Sequence, residues 1–350
     1  MRRGRGISPA MSHGIAVFAF ALSALAGVAH AAAASGAGTV EVAFVRGDRL
    51  VRVERVVPPG IRPELHGLKE LVQGPTRAER ALGLRTAFRP GVRVRSLRVD
   101  GDLWLARFSR KLLAPATPRT METRLGQISA TLARLGPAGY AAISAEGRLV
   151  TTLRIGMRPS DWRAQEGEKG YSYVVRGVQL RLALLGFLDR TSVSGTFDYA
   201  TEQALLAFQG WEGLARTGTV TGETQLALFR ASAPKPATHR PGRRVEIHRD
   251  LGTLLLIDDN EVERVVHTST GAYGRTPSGT YRVYRKELLS WSVPFKVWMP
   301  YASYFVGGIA MHEYSYVPSY PASHGCVRLP AGDAQRVYGF AEIGTPVHVF

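Results

Sequence analysis

The chain has 350 residues, 45% of them hydrophobic, a net charge of +17 and a single cysteine, Cys326. That length exceeds what one core usually organises, so two or three domains are expected. A lone thiol rules out an internal disulfide framework, leaving a buried hydrophobe, an intermolecular link, a metal ligand or a nucleophile.

Residues 1–31 read as a secretory signal peptide. "MRRGRG" is basic, "GIAVFAFALSALAGVAHA" is apolar, and Ala29, His30 and Ala31 supply a small-x-small cleavage pattern. The alternative is a single membrane helix over the same run. No other stretch is long and apolar enough to span a bilayer, so the expectation is a secreted, extracytoplasmic protein without a stable transmembrane anchor. The basic surplus then favours anionic wall polymers or lipid headgroups as partners over nucleic acid.

From Val40, "VEVAFVRGDRLVRVERVV" alternates apolar and polar residues about Gly47-Asp48 and predicts a β-hairpin. Leu65, Leu68 and Leu71 then share a helical face ended by Gly74-Pro75, and Thr76 with Glu79 forms a capping box for a short second helix. A second hairpin, "VRVRSLRVDGDLWLARFS", turns at Gly101-Asp102. Met121, Leu125, Ile128, Leu132 and Leu135 mark a longer helix. Residues 38–155 are thus an α+β domain. Their element order and the run "LKELVQGPTRAERALGLRTAF" resemble the GerMN domain of bacterial sporulation and germination proteins. With no convergent His, Asp or Glu cluster, binding or scaffolding is the expected role.

After the polar stretch "MRPSDWRAQEGEKG", residues 171–230 carry Val175, Val178, Leu182 and Leu185 at helical spacing, closed by Gly186. Helices capped by Asp198 and starting at Thr221 follow, giving a small three-helix bundle with a barely sufficient core. Val178-Gln179, Leu182, Leu185-Gly186-Phe187, Gly195, Phe197, Thr201, Ala204, Phe208-Gln209, Gly213-Leu214, Gly218 and Thr224 resemble the PG-binding-1 type of peptidoglycan-binding module. That implies adhesion to wall glycan or stem peptide. Residues 231–242, Pro-rich and basic, read as an extended linker.

Residues 243–350 return to short alternating strands with turns at Leu251-Gly252 and Asp259-Asn260, predicting a mainly-β sandwich or closed β-structure. Cys326 lies here, in "YPASHGCVRLP". A thiol of ordinary pKa is only a few per cent ionised near neutrality, so a nucleophilic cysteine needs a base or a nearby positive charge. His312 and His324 are both near in sequence, with His312 the better placed as a base if a strand ends beside the turn. Successive amides at Ser323, His324 and Gly325 suit an oxyanion hole, and Gly325 leaves room for substrate. Zinc on His312, His324 and Cys326 is the rival chemistry, although it gives no reason for Ser323 and Gly325.

"STGAYGRTPSGTY", "MPY", "GGIAMH" and "SHGCVRL" resemble the L,D-transpeptidase catalytic domain, often called YkuD-like, over residues 243–350. The resemblance implies a multidomain wall enzyme needing no cofactor. In it Cys326 is the acylated nucleophile, His312 the base, the Glu313 carbonyl the orienter of the imidazole, and the amides of His324, Gly325 and Cys326 the oxyanion donors. The implied reaction forms 3→3 cross-links between stem peptides through a Cys326 thioester, with release of D-alanine. Hydrolysis of the same thioester would make an L,D-carboxypeptidase; loss of chemistry would leave a wall-binding protein. Only ten residues separate His312 from Ser323, fewer than in the better-known form of the motif, and Arg328 stands where that form has Asn. Arg328 is expected either to pair with a stem-peptide carboxylate or to make a structural ion pair. The tryptophans read as packing, with Trp291 and Trp298, together with Tyr301 and Tyr304, as the alternative lining of a substrate cleft, Tyr301 being the substrate-binding candidate.

Overall fold

The computed structural model describes residues 38–136, 138–156 and 172–350; the signal segment and the polar stretch after residue 156 lie outside the described residues. In the first domain, β1 (Thr39–Arg46) and β2 (Arg49–Val56) pair as the expected hairpin. Helices α1 (Pro63–Gln73) and α2 (Arg77–Ala81) follow, and both halves of the Thr76–Glu79 capping box are made. The hairpin β3 (Val94–Asp100) and β4 (Leu103–Phe108) and the helix α3 (Pro118–Leu132) also stand where the patterns put them. Two further strands, β5 (Tyr140–Ala145) and β6 (Arg148–Arg154), complete a sheet of order β3-β4-β5-β6, with β5 parallel to β4.

That sheet is buried on both faces. Trp104, Ala106, Phe108, Ala141, Ile143 and Leu153 face a core shared with the β1–β2 hairpin, α1 and α3. Their neighbours Leu103, Leu105, Ala142 and Leu149 face a second core built with the helical module. A strand buried on both sides has no reason to alternate, which is why "YAAISA" carries no strand period.

The module comprises α4 (Tyr173–Leu184), α5 (Tyr199–Trp211) and α6 (Gly222–Arg230), with side-chain caps from Ser172, Asp198 and Thr221. Two buried glutamines perform one task twice. Gln179 accepts from Gly195 N at 2.7 Å and donates to Thr201 Oγ1 at 2.8 Å. Gln209 accepts from Gly218 N at 2.9 Å and donates to Thr224 Oγ1 at 3.0 Å. Each thereby ties the turn after its helix to the start of the next.

In the last domain β7 (Arg244–His248), β8 (Thr253–Asp258), β9 (Glu261–His267), β10 (Gly279–Arg282) and β15 (Pro346–Val349) form a five-stranded sheet of order β10-β15-β7-β8-β9. A second sheet holds β11 (Arg285–Ser292), β12 (Val297–Val306), β13 (Ile309–Glu313) and β14 (Val327–Leu329), in that order. Val245, Ile247, Leu254, Leu256, Met311 and Val327 pack between the sheets, together with Val337 and Phe340 of α7 (Asp333–Phe340). This is the mainly-β sandwich that the sequence implied.

The helical bundle does not stand by itself. Leu255, Ile257 and Val265, on the outer face of the five-stranded sheet, belong to the same core as Val178, Leu182, Leu205 and Phe208 of the module and Leu103 and Leu105 of the first domain. Full burial of such a side chain contributes about 1.5–3 kcal/mol, so a bundle of marginal core is completed by a sheet on each side. Residues 231–242 are likewise extended but not free. The Glu246 carboxylate, fully buried, accepts from Ala237 N, Thr238 N and Thr238 Oγ1 at 2.6–2.9 Å. Burial pushes that carboxyl up, yet the hydrogen bonds from His248, Thr238 and the two amides outweigh it and hold its pKa at about 2. Buried Arg244 donates to Thr238 Oγ1 and Arg240 O, both at 2.7 Å.

Candidate active site

The pairing of β13 with β14 is parallel, with Met311 opposite Val327 and His312 opposite Arg328. Met311 and Val327 point into the core. Side chains alternate along a strand, so His312, Cys326 and Arg328 face the other way. All three line a cleft of about 320 Å³, together with Met299, Gly308, Ile309 and the Ser323–Gly325 turn.

His312 is buried, and its Nδ1 lies 2.7 Å from the Glu313 carbonyl. A carbonyl only accepts, so Nδ1 carries the proton and Nε2 keeps its lone pair. Burial, reinforced by Arg328 and only partly offset by the Glu313 hydrogen bond, lowers the imidazole pKa to about 4. Burial also raises the Cys326 thiol, against smaller opposing effects of the Ala310 backbone and Arg328. At neutral pH both groups are therefore uncharged. Cys326 and His312 thus line one cleft as a neutral thiol and a neutral imidazole whose Nε2 lone pair is unprotonated.

The loop carrying the cysteine is fixed from beneath. Ser323 Oγ accepts from Gly325 N at 3.0 Å and donates to Cys326 O at 2.5 Å. Gly325 has φ of 144°, a conformation for which glycine is suited, and a Cβ there would meet Ile309 at 3.2 Å. Two fully buried hydroxyls, Ser269 and Thr276, complete the brace. Thr276 Oγ1 donates to Gly325 O at 2.6 Å and Ser269 Oγ to Tyr320 O at 2.7 Å. Neither was singled out individually from the sequence, although both lie in "STGAYGRTPSGTY". The module reaches the same loop, since Tyr199 Oη accepts from Val317 N at 3.1 Å and Gln203 donates to Val317 O at 3.4 Å.

Not every expected residue meets the cleft as foreseen. The amides of Ser323 and Gly325 are already engaged, by Thr270 O and Ser323 Oγ, whereas those of His324 and Cys326 have no such partner among the described residues. The His324 ring is exposed and stacks on Phe295 at 4.4 Å. It lies against the β11–β12 turn, and no group of three or more His, Cys, Asp or Glu able to hold a metal occurs among the described residues. Tyr301 is outside the cleft, packed against Tyr338 and the sandwich core. Tyr304 is buried, and exposed Trp291 and Trp298 pair with each other across the hairpin. The aromatic lining comes instead from Phe295 and Tyr314, the latter 3.9 Å beneath the Arg328 guanidinium. Arg328 has no carboxylate partner among the described residues.

Residues 242–349 match the family model of the L,D-transpeptidase catalytic domain. Residues 173–228 match that of a peptidoglycan binding domain, and residues 38–151 one described as sporulation and spore germination. The chain is 35% identical to an L,D-transpeptidase of known crystal structure from Xylanimonas cellulosilytica, over 52% of this chain and 95% of that one, with a TM-score of 0.48. It is 25% identical to one from Stackebrandtia nassauensis, over 51% of this chain and 92% of that one, with a TM-score of 0.35. No curated protein sequence matches. The chain belongs to the L,D-transpeptidase family. It joins that catalytic domain to a peptidoglycan-binding module, which places its work at the cell wall. No helix among the described residues is long and apolar enough to cross a membrane.

The depressed His312 pKa makes a testable profile. The neutral, basic imidazole predominates above about 4, so acylation of Cys326 should rise with pH through that value and then stay level toward neutrality. Rates of adduct formation by a carbapenem, followed by intact mass across this range, check it. A rise centred near the ordinary histidine pKa would mean that the base is exposed.

Proposed function

We propose that the protein is an exported L,D-transpeptidase that forms 3→3 cross-links between peptidoglycan stem peptides through a thioester on Cys326. The observation that carries this reading is the placement of Cys326 and His312 in one cleft with the imidazole proton committed to the Glu313 carbonyl. His312 Nε2 takes the thiol proton as sulfur attacks the carbonyl of the third stem residue, a diaminopimelate. The amides of His324 and Cys326 receive the developing oxyanion. Collapse breaks the amide bond to the terminal D-alanine, whose amine takes the proton from His312. The amine of a neighbouring stem then attacks the thioester, loses its proton to the same base and releases the thiol. No external energy source is needed, because one amide bond replaces another. The module supplies affinity for wall glycan or stem peptide, and residues 1–31 direct export.

Incubation of the purified chain with a disaccharide-tetrapeptide tests the reaction. Loss of D-alanine with appearance of a dimer linked between two third residues is the expected result. Tripeptide alone would identify the carboxypeptidase, and unchanged substrate a silent wall-binding protein. Arg328, unpaired and flattened against Tyr314, is placed to receive a diaminopimelate carboxylate. Arg328→Gln should raise KM for the stem peptide about tenfold to a hundredfold, the worth of a charge-assisted hydrogen bond. Steady-state kinetics check this, and an unchanged KM would return Arg328 to a packing role.

A further inference from the structure

The module packs on the five-stranded sheet mainly through β8 and β9, with Trp211 also edge-on to His248 at the end of β7. Two strands further on, the register sets Thr280, His348 and Glu246 side by side, with Arg282, Pro346 and Arg244 in the next row. Residues 237–243 cross over this end, pinned by Glu246 and by Asn260, whose Oδ1 accepts from Arg240 N at 2.8 Å. A cavity of about 450 Å³ remains between cover and sheet. It shares no lining residue with the Cys326 cleft.

Its charges do not cancel. Arg244 faces Glu246 at 3.5 Å and Arg243 faces Asp258 at 3.1 Å. Arg240 on the cover and Arg282 on the sheet have no carboxylate within ion-pair distance among the described residues, although Arg282 donates to Gly344 O at 2.8 Å. His348 is only 5% exposed, and its Nδ1 meets Thr280 Oγ1 at 3.0 Å. Its Nε2 is buried without a protein partner, a costly state that a ligand would relieve. Burial lowers this histidine's pKa, and Arg240 and Arg244 lower it further against the opposing pull of Glu246. Of the two neutral tautomers, the one in which the Thr280 hydroxyl donates to Nδ1 leaves a proton on Nε2, on a ring that lines the cavity.

We propose that this cavity binds a phosphate group, either free inorganic phosphate or the phosphodiester of an anionic wall polymer. Arg240 and Arg282 supply its charge complement and His348 Nε2–H one directed hydrogen bond. Guanidiniums from opposite walls and a ring N–H between them offer donors in several directions, which suits a tetrahedral anion better than a flat carboxylate. The site gives the chain a hold on the wall separate from both stem-peptide chemistry and the helical module.

Calorimetric titration of the full chain at low ionic strength, with inorganic phosphate in one arm and poly(glycerol phosphate) in the other, tests the proposal. Binding of inorganic phosphate identifies the free anion as sufficient; binding of the polymer alone identifies the diester. Binding of neither overturns the site. The double variant Arg240→Ala, Arg282→Ala should weaken wild-type binding at least tenfold while leaving carbapenem acylation of Cys326 unchanged. Equal affinity in that variant overturns the proposal. Should it fail to fold, histidine-ring NMR of the wild type decides, since the bound probe must shift His348 Nε2 and a response confined to other histidines overturns it.

Discussion

Replacing Cys326 by alanine should abolish the covalent carbapenem adduct, one per chain in the wild type by intact mass, and all turnover of stem peptide. The structure sharpens what to expect of its partner. Because burial raises the thiol pKa, little thiolate exists to react unaided near neutrality. His312→Ala should then slow acylation by roughly 10² to 10⁴, about 2.7–5.4 kcal/mol of barrier. His324→Ala should do less, because alanine retains the backbone amide. A folded His312→Ala chain acylated at the wild-type rate would remove His312 from its assigned role.

The second large effect is on stability, at two glycines where the module touches its neighbours. A Cβ on Gly177, in α4, would lie 2.1 Å from Thr151 Oγ1 and 2.6 Å from Thr152 N of β6. One on Gly210, in α5, would lie 2.0 Å from Leu251 O of the last domain. Backbone atoms cannot step aside as a side chain can. Overpacking costs about 1–3 kcal/mol, sometimes more, which exceeds the gain of about 1 kcal/mol from alanine's better helix propensity. Gly177→Ala and Gly210→Ala should each lower the denaturant midpoint, whereas Gly339→Ala in α7, with no atom within 4 Å of the added carbon, should be neutral or stabilising. Equal midpoints for all three would show that the module rides loosely. Deleting the module outright would strip cover from Leu103, Leu105, Leu255 and Ile257, so wall adhesion cannot be separated from folding in that way.

The same buried interfaces explain what could be read from the sequence. The first hairpins, the capping box and the helix limits near Asp198 and Thr221 depend on local patterns, and local patterns are what a single chain displays. Strand β5 is apolar without alternation because it serves two cores, so periodicity was silent about it; β8 was expected as an alternating strand between its two turns, but it too is buried on both faces. That Cys326 and His312 would share one cleft, with Nδ1 on the Glu313 carbonyl, could be read because the motif is compact. Tyr301 was not, since its proximity to the base in sequence says nothing of the side of β12 on which its ring lies. The Gly325 amide illustrates a subtler limit: a donor available in a motif had already been taken by the Ser323 hydroxyl next to it. The pinned linker was illegible because Glu246, Asp259 and Asn260 look like ordinary strand and turn residues until residues 237–242 lie across them.

His312 stands on β13 and Cys326 immediately precedes β14, its parallel neighbour, so ladder spacing, rather than the chain between them, sets their separation. The excursion from Tyr314 to Ala322 is in effect a spare length. Lengthening such a loop adds only about 0.6 kcal/mol per doubling, so members of one family can differ in this interval while retaining the same reactive pair. The stretch can change in length between its anchors, which are Tyr314 under Arg328, Val317 on the module and Tyr320 O on Ser269. Variation between those anchors would leave the parallel pairing of β13 with β14 as it is.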